Sequence, residues 1–419
     1  MQQGSIHSIV ILCPAAVGGA AEHVYYQARA LQELGVNVSI LCPPNYLENR
    51  PLDVPTVRRL LPGDVKGRGS GTPGFVGLQR LRNALVFFAR VVGAFWVLAW
   101  VVAVRRPDAV LVASFMEYFS PFWVWPHLLL SRLCGVIYAA NLQDPVRSWR
   151  LGPKWWHELS VRLAFAPLSV ALIHELLPDR SIVPSHVVLV QVPVGVYELK
   201  SGQVDSEAVR RGWAAGKDQV AFLAFGFIRD NKNLDLLIRA LAQVPKAFLA
   251  VVGRCQSSTN KPLQYYRDLA VSCGVAGRVH FSEEFVPDEN LAGYFSAADI
   301  IAITYNEHFH SQSGVLNVAA RCRKLVLASS GDGPLKSAVI KFRLGMFVKP
   351  DDLASTAEGM KHLCDDLIQR RVLERGVGNP RQQNEQPDYQ AYEDYASWRT
   401  NAEILMQTLS GARSASAKS

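Results

Sequence analysis

The 419-residue chain is 49% hydrophobic and carries 44 Lys and Arg against 36 Asp and Glu, a net charge of +8, which is ample for two or three globular cores. The positive balance calls for an anionic partner, a phosphate-rich substrate or a membrane surface, while the lack of zinc-finger spacing, an RNA-recognition motif or a long basic run argues against nucleic acid. Seven scattered cysteines, odd in number and without a CxxC pair, exclude a disulfide framework and a cysteine-rich metal site and fit a reducing cytoplasm.

The N-terminus runs directly into a buried strand over 6–13 and does not read as a signal peptide. A turn follows, in which Gly18-Gly19 opens a helix over 21–34. Gly35 caps that helix, and 36–42 returns as a strand. This βαβ unit places a glycine pair at the carboxyl end of its first strand, where open α/β sheets bind ligands. The spacing is not GxGxxG, which argues against a dinucleotide, and the pair also reads as a plain tight turn. A glycine-rich basic loop over 62–74 precedes an apolar helix at 84–104, in which Arg90 is the only charge and Arg80, Arg82, Arg105 and Arg106 stand at the flanks. The uninterrupted run 91–104 is short of the roughly 20 residues that cross a bilayer, although the longer reading just reaches. Three readings stay open: a core helix, an interfacial helix on an anionic membrane face, and a span.

A strand over 108–113 leads to an aromatic stretch at 115–133, with Phe119, Phe122, Trp123 and Trp125 facing core or lipid. The strand 136–140 ends in the polar cluster Asn141, Gln143 and Asp144. Strands at 170–173 and 187–192 are followed by the loops His174-Glu175 and 193–197. The polar stretch 199–218 reads as a domain junction.

The strand 220–225 breaks at Gly226, turns through Arg229 and Lys232, and continues as a helix whose Leu234, Leu237, Ile238 and Leu241 share one face. Strand, glycine and helix start make a phosphate-binding corner: unpaired amides and the helix dipole favour an anion, and two cations stand beside them. By itself the stretch also reads as a solvated turn. A strand at 247–252 ends in Gly253-Arg254, helices follow at 263–273 and 287–297, and the strand 300–304 opens a polar turn holding Glu307. Ser313-Gly314-Val315 then starts a helix, and strands at 325–328 and 346–348 close a second doubly wound domain. His308 and His310 alternate without a third ligand nearby, so no metal site is expected. A long helix is expected over 389–409, with a disordered tail across the last ten residues.

In this order and spacing, the Gly18-Gly19 turn with Glu22-His23, the stretch FGFIRDNKN, Val251-Val-Gly253, Ala297-Ala-Asp299 and Ser313-Gly-Val-Leu316 resemble the GT-B glycosyltransferases of family 4, the group 1 type. The resemblance implies an α/β fold of two Rossmann-like doubly wound domains facing a cleft: 1–198 for the acceptor, 199–388 for the nucleotide-sugar donor, and 389–419 as a returning helix and tail. It implies donor binding by Gly18, Gly19, Gly226, Arg229, Lys232, Gly253, Glu307, Ser313, Gly314 and Val315. The acceptor side would hold Glu22, Asn141, Gln143 and His174. The expected activity is a metal-independent sugar transfer to a glycan or polyprenyl-linked acceptor in surface polysaccharide assembly. It would take place at the inner face of the membrane, with no cofactor beyond the nucleotide-sugar co-substrate.

The chain departs from the family pattern. The usual paired glutamates correspond to positions near His310 and Val318, which fits a Ser-Gly branch. That branch has a His-Asn and a Pro-His-Gly where this chain has Ala140-Asn141 and Pro193-Val194-Gly195. With those histidines absent, catalysis is expected to rest on Asp144 as base with Arg229 and Lys232. The alternative is a degenerate transferase that binds a nucleotide sugar or a partner without turnover.

Overall fold

Runs of Val, Ile, Leu and Ala four to six residues long recur along the chain, and short continuous apolar runs of this kind fit strands covered on both faces. The structure, a computed structural model, describes residues 5–48, 52, 57–61, 76–113, 115–142, 152–177, 179, 183–199, 204–255, 260–374 and 386–416. The chain divides into two units, Met1–Val194 with Trp398–Ser419, and Gly195–Ser397.

The first unit runs β1 (Ser8–Leu12), α1 (Gly19–Glu33), β2 (Asn37–Leu41), β3 (Val57–Arg58), α2 (Val76–Arg105), β4 (Ala109–Val112), α3 (Val124–Cys134), β5 (Ile137–Leu142), α4 (Lys154–Phe165), β6 (Leu168–Ile173) and β7 (Val188–Gln191). Among the described residues its strands form one parallel sheet in the order β3-β2-β1-β4-β5-β6-β7. The strand order reverses between β1 and β4, so the loop after β1, with Gly18 and Gly19, lies at the switch point.

The apolar helix is longer than its pattern announced and begins at Val76. One face, with Val91, Phe95, Leu98 and Val102, is buried against Val110, Val112 and Tyr138, each large side chain contributing about 1.5–3 kcal/mol by burial. The segment Arg82–Arg105 is long and apolar enough to cross a membrane, and 39% of its most apolar window is buried. One face of the helix is therefore core, as the first of the three readings has it, and the other face is exposed.

The second unit runs α5 (Ser206–Trp213), β8 (Val220–Phe225), α6 (Leu234–Leu241), β9 (Ala247–Val252), α7 (Leu263–Ser272), β10 (Val279–Ser282), α8 (Leu291–Ala297), β11 (Ile300–Thr304), α9 (Gly314–Arg321), β12 (Leu325–Ser329), α10 (Pro334–Lys341), β13 (Gly345–Phe347), α11 (Leu353–Glu374) and α12 (Tyr389–Tyr395). Its described strands form a parallel sheet in the order β10-β9-β8-β11-β12-β13, with the reversal between β8 and β11. Helices α4, α5, α10 and α11 had no sequence expectation. Two of them are held by Asp299, just before β11, which accepts from Arg210 of α5 and from Arg371 of α11.

The expected terminal helix is two helices. Asp388 caps α12 through the Ala391 amide, and α12 stays with the second unit, its Tyr392 hydroxyl reaching Asn317. The chain then breaks, and α13 (Trp398–Ser416) joins the first unit. The tail read as disordered is helical as far as Ser416, because Leu405 and Leu409 are fully buried and hold the helix down.

Candidate active site

At the end of β8 the backbone turns at Gly226, whose φ is +88°, a region L side chains rarely occupy. Gly253 ends the neighbouring β9 at φ +153°, and a Cβ there would lie 2.0 Å from the Gly226 carbonyl oxygen. The two glycines let the strand ends approach and leave the corner open.

Arg229 then precedes a single 3-10 turn, Asp230–Lys232, and Asn233 takes φ 50° before α6 begins. This turn is clamped from other segments. Thr304 donates to the Lys232 carbonyl at 3.0 Å, and the Asn306 amide donates to the Asn231 carbonyl at 2.9 Å. Asp351 accepts from the Asn233 side chain at 2.9 Å and from the Glu307 amide at 2.8 Å.

The Lys232 ammonium donates to the Phe225 carbonyl at 2.7 Å. Burial, then the nearby Arg229 guanidinium, pull its pKa down to about 8. The Arg229 Nε is buried and makes no hydrogen bond to the described residues. A buried guanidinium N–H without an acceptor is costly, and an anion at the corner would satisfy it. Gly226, Arg229, Lys232, Tyr305 and Val315 border a concave space of about 420 Å³ that opens to solvent. Across it Tyr305, at the end of β11, has its phenol pKa raised by burial, opposed by the Ser313 hydroxyl and by Arg229. Ser313 is the N-cap of α9, whose first amides have no helix carbonyl to bond. Two cations and a helix N-terminus therefore converge at one switch point of the sheet, an arrangement suited to stabilising charge that develops on a diphosphate.

Of the expected donor residues, Gly226, Arg229, Lys232, Ser313, Gly314 and Val315 gather here, and Gly253 supports them from behind. Glu307 lies in the same loop, exposed, its amide held by Asp351 and its carboxylate 3.9 Å from His308. Gly18 and Gly19 belong to the other unit, exposed at the start of α1. The His310 Nδ1 lies 2.8 Å from the Asp332 carbonyl oxygen, which accepts from it, and the ring is packed so closely that a Cβ on Gly331 would meet it at 2.5 Å. Among the described residues no three His, Cys, Asp or Glu side chains cluster as a metal site. Thr304, Tyr305 and Asp351 escaped the sequence reading. Asp351 is 118 residues from its partner Asn233, and no local pattern announces such a contact.

The acceptor-side residues of the first unit have different fates. Asp144 and Gln143 lie outside the described residues. Asn141 is fully buried at the end of β5; its NH2 group donates to Gln27 at 3.2 Å, while its Oδ1 makes no hydrogen bond to the described residues. Glu22 is half-buried in the first turn of α1. His174 is buried, with Nδ1 3.0 Å from the Val192 carbonyl and its ring 5.1 Å from that of His23. Burial lowers the pKa of both imidazoles.

Comparison with known proteins adds to this geometry. Residues 18–188 match the model described as Glycosyl transferase 4-like domain, and residues 205–376 match Glycosyl transferases group 1. A D-inositol 3-phosphate glycosyltransferase of Mycobacteroides abscessus is 28% identical over 228 residues, 54% of this chain and 46% of that protein. The same-named protein of Corynebacterium efficiens is 33% identical over 154 residues, 35% of this chain and 34% of that protein. The matched stretches thus span less than half the length of these curated relatives. Among solved structures, a glycosyltransferase from Rickettsia africae aligns over 99% of both chains with a TM-score of 0.63 and 13% identity. Anabaena HepE in complex with UDP and glucose aligns over 98% of both, with a TM-score of 0.56 and 14% identity. At such identities the likeness is one of fold.

Proposed function

Since the chain belongs to the group 1 glycosyltransferases with a GT-B fold, we propose that it moves a sugar from a nucleotide-diphosphate donor held by the 195–397 unit to a glycan or lipid-linked acceptor. The membrane's cytoplasmic face is the proposed location, in keeping with the positive charge and the outward apolar face of α2. One observation carries the donor assignment: Arg229 and Lys232 stand together at the glycine-bordered end of β8, with an unsatisfied guanidinium N–H. UDP in the HepE structure is a ligand of the class this corner suits.

When the glycosidic bond to the diphosphate breaks, negative charge grows on the leaving oxygen. Arg229 and Lys232 are already positioned to meet it, and the α9 amides add a dipole that needs no reorganisation. Two fixed cations can do this without a metal ion.

The test is a thermal-shift panel of nucleotide sugars, followed by donor hydrolysis or transfer with a chelator present. A matching donor raises the melting temperature by linkage. Arg229→Ala and Lys232→Ala each cost on the order of 2–4 kcal/mol of transition-state stabilisation, a drop of roughly 30-fold to 10³-fold in turnover. Turnover at the wild-type level in both variants would overturn the assignment. Donor binding without turnover under any acceptor would favour a degenerate transferase.

A further inference from the structure

We propose that the first unit docks on an anionic lipid surface through a tryptophan-rich face assembled from α2, the 3-10 turn Ser120–Phe122, α3 and α4, lying in the interface and not spanning it. The proposal rests on the membrane location given above and adds the surface that makes the contact.

Trp96 and Trp100 of α2, Trp125 of α3 and Trp155 of α4 are each between 52% and 65% exposed. Four exposed indoles on one unit are far from the scattered apolar residues of an ordinary surface. Trp96, Trp125 and Trp155 are physically linked through the Ser120–Phe122 turn. The Trp96 indole donates to the Phe122 carbonyl at 3.1 Å, and the Trp125 indole donates to the Pro121 carbonyl at 3.0 Å. The Phe122 ring lies 6.1 Å from Trp156, which lies 5.9 Å from Trp155. Leu129 and Leu133, 59% and 75% exposed, extend the patch along α3.

Two features select lipid over a protein groove. The indole N–H groups of Trp96 and Trp125 already have acceptors, so those rings enter a low-dielectric layer without stranding a donor. The charge pattern is one-sided. Across α2, α3 and α4 the only acid is Glu158, which pairs with Lys154 at 3.7 Å. Exposed Arg82, Arg105, Arg132 and Arg162 stand near the helix ends, where a cation meets anionic headgroups while the aromatic middle sinks to the acyl boundary. Spanning would require α2 to leave the sheet, because Val91, Phe95, Leu98 and Val102 are packed in the core.

The experiment is co-sedimentation of the full chain with vesicles of neutral phosphatidylcholine, and of phosphatidylcholine mixed with phosphatidylglycerol. The wild type sediments with the anionic vesicles. The triple variant Trp125→Ser, Leu129→Ser, Trp155→Ser partitions about tenfold or more weakly, as expected for removing exposed apolar side chains from an inserted face. All three side chains are exposed, so the variant keeps its circular dichroism and its nucleotide-sugar thermal shift; if it does not fold, the single Trp125→Ser, read against the wild type, decides. A folded variant that binds as well as the wild type overturns the surface. A wild type that ignores every vesicle overturns the docking while a retained donor shift leaves the transferase reading intact. Dimerisation through the patch, lost in the variant and without vesicle binding, would assign the face to a second copy and overturn the lipid. Carbonate releases the protein from membranes; a requirement for detergent would overturn the interfacial placement.

Discussion

Lys232 combines a site role with an unusual ionisation. Its pKa, drawn down to about 8 first by burial and then by Arg229, leaves the ammonium charged at pH 7 and neutral above pH 8. Donor affinity is therefore expected to fall as pH rises through about 8, and Lys232→Arg, which cannot deprotonate in this range, removes that limb from the profile. The stability of the free protein moves the other way. Between pH 8 and the unfolded lysine value near 10.4 the unfolded chain binds more protons, so this group makes stability rise with pH. Titration of donor binding by calorimetry checks the first statement; a pH-independent affinity from 7 to about 9 would mean that Lys232 does not face the diphosphate.

The corner depends on how closely strand β8 approaches strand β9. Gly253→Ala puts a methyl group 2.0 Å from the Gly226 oxygen at a φ of +153°, so the strand ends must separate. The expected cost is about 2–4 kcal/mol, from a strained backbone added to an overpacked contact, together with weakened donor binding because Gly226 borders the site. Gly314→Ala is the control: it opens α9, and nothing lies within 4 Å of its Cβ position, so its stability should stay within about 0.5 kcal/mol. Chemical denaturation of both variants measures this difference, and equal midpoints would show that the glycine contact is not limiting.

The first unit is closed by a segment from the far end of the chain. Asn401 of α13 accepts from Gln27 at 2.8 Å and donates to the Pro193 carbonyl at 2.7 Å, while Gln27 accepts from Asn141. All three side chains are fully buried. Asn401→Leu keeps volume and leaves the Gln27 donor and the Pro193 carbonyl unmet, at about 1–3 kcal/mol each. The expected result is a lower melting temperature with the donor-induced shift of the 195–397 unit preserved. An unchanged melt would show that apolar packing of α13 alone closes the unit.

The parallel strands and the Arg229–Lys232 corner were legible because their causes are local. A continuous apolar run has few ways to hide except as a covered strand, and a glycine followed by cations and an amphipathic run marks a strand-to-helix turn wherever it occurs; β8, α6 and β9 lie where the pattern puts them. Tertiary structure decided what depends on distant partners. The Asn141 NH2 group looks like a donor offered to a ligand until Gln27, itself bonded to Asn401, is seen to accept from it. Asp351 looks like a turn residue until it bridges Asn233 and the Glu307 amide. Helix α2 has one apolar composition throughout, and only its packing against β4 and β5 separates a core face from an exposed one. A sequence window reports what a residue is able to do; burial and hydrogen bonding across a hundred residues or more determine which of those options is left.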